Sequence, residues 1–328
     1  MNGIRYLITG INGFVGPHLA KILIDEGHHV SGLIRETNGR KADMLDTLPD
    51  KYYSKLDFHY GDLVSKESVF HVFEKNKFDG VFHLAAQSHP PTSFDDPMGT
   101  FNVNANGTVH IVEAIRAFMP KCSLMFCSTS EVYGVVPEER GPIDENFPLI
   151  PINPYAVSKA GADMYVRERA NSLKLPFFVT RAFSHTGPRR GNIFSISSDA
   201  YQIIRMTKGL QEKKLRVGNI ESRRVVIDVR DCARAYYLLM NKFTPGEAYN
   251  VGGDTLHSIK DFIDMMLEIK GLKGKVELVT DPKLVRPIDI PVQVCDSDKC
   301  RALTGWKPTI PIEQTLQDLL DYWDKKIG

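Results

Sequence analysis

Residues 4–16 read IRYLITGINGFVG, an apolar β-rich run followed by three glycines at three-residue spacing and the start of a helical pattern. Gly10, Gly13 and Gly16 let the backbone come close to a pyrophosphate, and the helix N-terminus behind them supplies N–H donors and partial positive charge. The spacing is GxxGxxG rather than GxGxxG, and such a triplet alone is common in tight turns. Its position directly after a first strand is what points to a nucleotide. Further apolar, β-rich runs follow at 28–34 (HHVSGLI), 56–62 (LDFHYGD), 78–86 (FDGVFHLAA), 122–129 (CSLMFCST) and 175–183 (LPFFVTRAF). Helical patterns lie between them, running to about Glu26 and over about 66–75, 97–118 and 154–172. Strands that alternate with helices indicate a parallel sheet covered on both faces.

The expected class is therefore α/β, a Rossmann-type doubly wound parallel sheet. Beyond Ser184 the alternation breaks. GPRRG (187–191), a helix near 195–209 and LRVGNIESRRVVIDVRD (215–231) do not continue it, and YNVGG (249–253) reads as a short strand. A helix over 258–270, five spaced prolines and a terminal helix near 312–326 complete the chain. The pattern predicts a dinucleotide-binding domain over 1–183 with a return segment at about 226–253. A smaller, discontinuous α/β lobe for the substrate would take 184–225 and 254–328.

Composition narrows the function. A formal net charge of +1 creates no global field for nucleic acid or an anionic membrane, so neither is an expected partner. EKKLR (212–216) reads as a solvated face. Five scattered cysteines in a chain of this length fit reduced thiols and a cytoplasmic protein. No CxxC or HExxH spacing is present, so no metal site is expected. The first residues enter a strand without a signal-peptide pattern, and no apolar run reaches the roughly 18 residues that span a bilayer.

The cofactor site should run along the glycine turn, through Gly10, Asn12, Gly13, Phe14, Val15 and Gly16. Asp62 and Leu63 after the third strand, and Leu84, Ala85 and Ala86 after the fourth, are placed for the adenine and ribose side. At the end of the second strand stands Arg35, with Arg40 and Lys41 behind it and Glu36 beside it. A guanidinium there suits a 2′-phosphate, which favours NADP over NAD.

In INPYAVSKAGAD, Asn153 is a good N-cap and Pro154 fits the first helical position. Tyr155 and Lys159, four residues apart, then share one helix face. A phenol of pKa about 10 needs roughly three units of depression, about 4 kcal/mol, to act as a base near neutrality. A neighbouring ammonium and a nicotinamide cation could supply it. CSTSEVYG (127–134) sets hydroxyls beside an acid. In an extended chain Thr129 and Glu131 point one way and Ser130 the other.

Glycine turn, fifth-strand Ser/Thr and YxxxK in this order resemble the extended short-chain dehydrogenases/reductases that modify nucleotide sugars. FHLAAQS (82–88), NPYAVSK (153–159), RPID (286–289) and GWKP (305–308) carry the resemblance nearly end to end. It implies that Thr129 hydrogen-bonds the sugar 4-hydroxyl, that Tyr155 deprotonates it, and that Lys159 assists while holding the nicotinamide ribose. TSEVYG resembles the form found in GDP-mannose 4,6-dehydratases, with Glu131 as the base for the C5 proton and Ser130 near the C6 hydroxyl.

HTGPRRG (185–191) and VGNIESRR (217–224) resemble segments of the same dehydratases. The resemblance implies substrate contacts from Ser88, Ser184, Arg189, Arg190, Val217, Arg224, Arg286 and Asp289, the acid facing guanine N–H groups. Ser184 stands where the dehydratases carry an asparagine, a departure shared with dehydratases of GDP-manno-heptose. The second lobe resembles GDP-4-keto-6-deoxymannose reductase equally well, and that reductase also has an acid, in SSEEYG. Expected partners are a GDP-sugar and a second copy of the chain. The helices near 97–118 and 154–172 would form a homodimer interface, with a tetramer as the further option. A non-catalytic NADP sensor on this fold is the alternative from another class, and the intact Tyr155/Lys159 pair argues against it.

Overall fold

A computed structural model describes residues 3–35 and 48–328; Glu36, Arg40 and Lys41 lie outside the described residues. The strands are β1 (Arg5–Thr9), β2 (His29–Ile34), β3 (Leu56–Tyr60), β4 (Gly80–His83), β5 (Ser123–Thr129), β6 (Phe177–Ala182) and β7 (Ser184–Thr186). They continue with β8 (Lys214–Val217), β9 (Arg223–Asp228), β10 (Ala248–Val251), β11 (Leu256–Ser258), β12 (Glu277–Thr280) and β13 (Val292–Gln293). Seven form one sheet in the order β10-β6-β5-β4-β1-β2-β3, every neighbouring pair parallel. The chain winds outward from β1 in one direction and from β4 in the other. That reversal opens a crevice beyond Thr9 and its neighbour His83, where ligands bind in such sheets.

Side-chain alternation along the strands explains the layers. Ile8, Phe82 and Met125 face one side, packing with Leu19, Leu23, Tyr236 and Leu239. Leu7, Val81 and Phe126 face the other, packing with Phe73, Ile111, Ile115 and Val166. Both faces are dry, as the near-continuous apolar strands require.

Two local features depart from the expectations. The segment near 97–118 is interrupted: a helix at Pro97–Phe101, a π turn at Asn102–Asn106 and a helix at Gly107–Phe118. The wider turn aims Asn104 inward, where its amide bridges the Gln87 backbone (2.8 and 2.9 Å) and the Ser158 hydroxyl (3.0 Å). The other feature is the helix Val229–Met240, hidden within the block read as broken. Its buried residues Val229, Cys232, Ala233, Tyr236 and Met240 follow helical spacing.

The remaining strands build small sheets around the helices Ser195–Thr207, Ile259–Ile269 and Ile312–Ile327. β9 pairs with β7, β11 and β13, and β8 with β12. A capping box of Ser258 and Asp261 (3.0 and 2.8 Å) starts the second of these helices.

Candidate active site

A cleft of about 1320 Å³ runs from the end of the large sheet into the smaller lobe. Gly10, Asn12, Gly13, Phe14, Val15 and Gly16 line it, together with Arg35, Asp62, Leu63, Leu84, Ala85 and Ala86. The glycines have separate jobs. Gly10 adopts φ 71°, and a Cβ there would come within 2.9 Å of Ala85 backbone. A Cβ on Gly16 would fall 2.4 Å from the Ile11 carbonyl, so only glycine lets the helix Gly16–Asp25 sit this close. The turn fits a dinucleotide: the cleft brings together a helix N-terminus, the buried Ser128 hydroxyl with no protein partner, and the ammonium of Lys159.

Asn153 caps the helix Pro154–Leu173 by accepting from Ala156 N at 2.8 Å. That start places Tyr155 and Lys159, both nearly inaccessible, on the cleft wall. Lys159 Nζ lies 4.2 Å from the centre of the Phe126 ring, and burial lowers its pKa to about 8. The protein groups around Tyr155 do not depress it as expected. Burial, then the Glu131 carboxylate and Cys127, push the phenol above its ordinary range, and the Thr129 hydroxyl and Arg190 offset this only in part.

Glu131 is reached by a different geometry from the extended chain expected. β5 ends at Thr129, and Ser130–Tyr133 form a tight 3-10 turn capped by Thr129, whose Oγ1 accepts from Glu131 N at 3.3 Å. The turn leaves Thr129, Glu131 and Tyr155 together in the cleft. Ser130 lines the same cleft, with its hydroxyl donating to Gln293 Oε1 at 2.9 Å. Glu131 is held from both sides: Asn153 Nδ2 donates to one oxygen at 2.7 Å and Arg286 reaches the other at 3.4 Å. The Asn153 amide therefore caps the helix and orients the acid, a double use that the sequence reading missed.

In the smaller lobe, Ser184, Val217, Arg224, Arg286 and Asp289 line the cleft, with Ser88 at its rim. Arg224 approaches Asp289 at 3.4 Å, and burial lowers its pKa. Asp289 also accepts from Asn219 at 2.9 Å. Arg190 sits between the Phe14 and Phe194 rings (4.8 and 3.5 Å), and burial lowers it to about 10. Arg189 is placed apart from Arg190. It does not line the cleft; in a left-handed backbone conformation (φ 78°) it donates to the Gly13 and Asn12 carbonyls at 2.8 and 2.9 Å. It braces the glycine turn from behind.

Other residues at the site were not among the expected site residues, although His185 and Cys127 open the segments HTGPRRG and CSTSEVYG. The His185 ring stacks on Phe14 (5.7 Å, 9°), and His89 packs edge-on against Phe194. Cys127, Gln293 and Asp199 also line the cleft. Among the described residues no cluster of metal-ligating side chains occurs, and no helix is long and apolar enough to cross a membrane.

Comparison with known proteins agrees with this geometry. A family model described as GDP-mannose 4,6 dehydratase matches residues 7–319. The chain is 32% identical to a GDP-6-deoxy-D-mannose reductase of Pseudomonas aeruginosa, covering 98% of each chain. It is 31% identical to GDP-mannose 4,6 dehydratase 1 of Arabidopsis thaliana, over 96% of this chain and 88% of that one. The solved structure of RMD from Pseudomonas aeruginosa complexed with NADPH superimposes with a TM-score of 0.85 at 31% identity, covering 98% and 99% of the two chains. With a glycine-turn cleft, a Tyr155/Lys159 pair and a matching model over nearly its whole length, the chain belongs to the GDP-mannose 4,6-dehydratase family.

Proposed function

We propose that the protein is a GDP-mannose 4,6-dehydratase that converts its substrate to the 4-keto-6-deoxy sugar nucleotide with a retained NADP. The observation that carries this reading is the Glu131 carboxylate, oriented by Asn153 and Arg286 in the same cleft as Tyr155 and Thr129. NADP held along the glycine turn and beside Tyr155 and Lys159 would supply the site with a hydride acceptor for C4 and a hydride donor for C6. Tyr155 takes the C4 hydroxyl proton, Thr129 orients that hydroxyl, and the Lys159 ammonium stabilises the phenolate. The new ketone acidifies C5–H. Glu131 removes that proton and delivers it to the C6 hydroxyl, which leaves as water, and the proton that Tyr155 took from the C4 hydroxyl restores C5–H when hydride enters at C6. A phenol pKa raised by burial means that Tyr155 needs positive charge beside it to serve as base.

Several finer assignments go with this reading. Arg35 at the cleft edge supports NADP, as does the NADPH in the similar Pseudomonas structure. The Arg224 and Arg286 guanidiniums suit the diphosphate. Residues 1–183 with the return segment would form the cofactor domain and the rest the substrate lobe, with β9 counted in the lobe because its partner strands are there. Exposed Met98, Val157 and Met164 on the helical edge support a homodimer.

A second reading is favoured by one observation. The Pseudomonas reductase matches end to end, whereas the Arabidopsis dehydratase extends beyond the match. A phenol kept protonated by burial would also suit proton donation to a ketone. Incubation with GDP-mannose and no added reductant separates the two. A 4-keto product establishes the dehydratase. Inert GDP-mannose, together with NADPH consumption on the 4-keto sugar, establishes the reductase.

A further inference from the structure

Five carboxylates line the cleft: Asp62, Asp95, Glu131, Asp199 and Asp289. Four are accounted for. Asp62 accepts from Val64 N at 3.1 Å, Asp95 is open to solvent, Glu131 is held by Asn153, and Asp289 is engaged by Asn219 and Arg224. Asp199 differs from all of them. It sits in the second turn of the helix Ser195–Thr207, only 3% exposed, and its Oδ2 has no hydrogen-bond partner among the described residues. Burial alone raises its pKa, to about 8. A buried oxygen left unsatisfied is destabilising, so its retention calls for a donor that arrives from outside.

The surroundings select the donor. Ile196, Val217, Val226 and Ile259 belong to the lobe's apolar core and line the same cleft as this acid. A diphosphate is suited to Arg224 and Arg286. A hexose must reach Tyr155, and a ribose needs several polar partners. Apolar side chains with one buried acceptor suit a nucleobase that offers N–H groups on its edge. We propose that Asp199 is the specificity-determining anchor of the nucleobase subsite, its free carboxyl oxygen accepting from the 2-amino group of guanine.

The inference rests on the GDP-sugar reading and adds to it a recognition residue other than Asp289. It is tested by calorimetric titration of the full chain with GDP and with inosine diphosphate, which lacks only the 2-amino group. Wild type should prefer GDP by up to about tenfold, the worth of one hydrogen bond. Asp199→Ala should bind the two nucleotides equally, and Asp199→Asn, which keeps an acceptor, should retain part of the preference. The unliganded Asp199→Ala protein should melt at or above the wild-type temperature, because an unsatisfied group has been removed. Unchanged selectivity in both variants would overturn the proposal, as would a wild type that does not distinguish the nucleotides. A variant that melts lower while its Asn counterpart keeps full selectivity would make Asp199 structural and also overturn it. If wild type binds neither nucleotide, the GDP-sugar reading itself fails, visibly in the wild-type arm alone.

Discussion

Two buried cations lie on neighbouring elements and are treated oppositely. Arg181 in β6 is 1% exposed and fully answered: it donates to both oxygens of Asp163 (2.9 and 3.1 Å), to Tyr133 Oη (3.0 Å) and to the Glu145 carbonyl (3.3 Å). Lys159 is 3% exposed and meets chiefly an aromatic face. Asp163, one helical turn beyond Lys159, could have paired with it, but both its oxygens are committed to Arg181. A satisfied buried charge holds a fold together, while an unsatisfied one is held ready for a ligand. Lys159 belongs to the second kind.

The contrast can be broken by mutation. Tyr155→Phe should lower turnover by about 10³-fold or more while leaving the melting temperature within a few degrees of wild type, which activity assays and thermal scans together would show. Arg181→Met should do the reverse. It strands the Asp163 carboxylate and should cost about 3–5 kcal/mol in denaturant unfolding. Glu131→Gln should slow exchange of the C5 hydrogen with deuterium by about 10²-fold, with C4 oxidation less affected. Equal loss of both steps would remove its role as C5 base.

The smallest effect concerns pH. Folding lowers the Lys159 pKa from 10.5 to about 8, so between those values the unfolded chain binds a proton that the native protein does not. Stability from this group therefore rises as pH goes from 8 to 10.5, and its cost is full below pH 8. Lys159→Met removes the cost, so the variant's stability advantage should be largest below pH 8 and shrink toward pH 10.5. Denaturant unfolding of both unliganded proteins across that range would read it.

Periodicity and punctuation made much of this molecule legible. The first six strands of the large sheet, the helix opened by Asn153-Pro154 and the glycine turn follow from local rules. The site residues were legible where a motif fixed both type and spacing, as with Tyr155 and Lys159. What escaped was set by tertiary contact. Arg189 and Arg190 are adjacent and chemically alike, yet a left-handed backbone at the first sends one behind the turn and the other into the cleft. Glu131 was placed on the correct side for an incorrect reason, because a 3-10 turn rather than an extended strand carries it there. Asn104 depends on a π turn and Asp199 on burial, neither of which leaves a local pattern.

The central claim is that the acid beside the catalytic tyrosine eliminates water. Purified protein loaded with NADP should be given GDP-mannose deuterated at C4, without added reductant, and the product analysed by mass spectrometry and NMR. The account predicts a 4-keto-6-deoxy product with the deuterium moved to C6 and no net change in NADPH. GDP-mannose recovered unchanged, from protein that oxidises NADPH when given the 4-keto sugar, would contradict it.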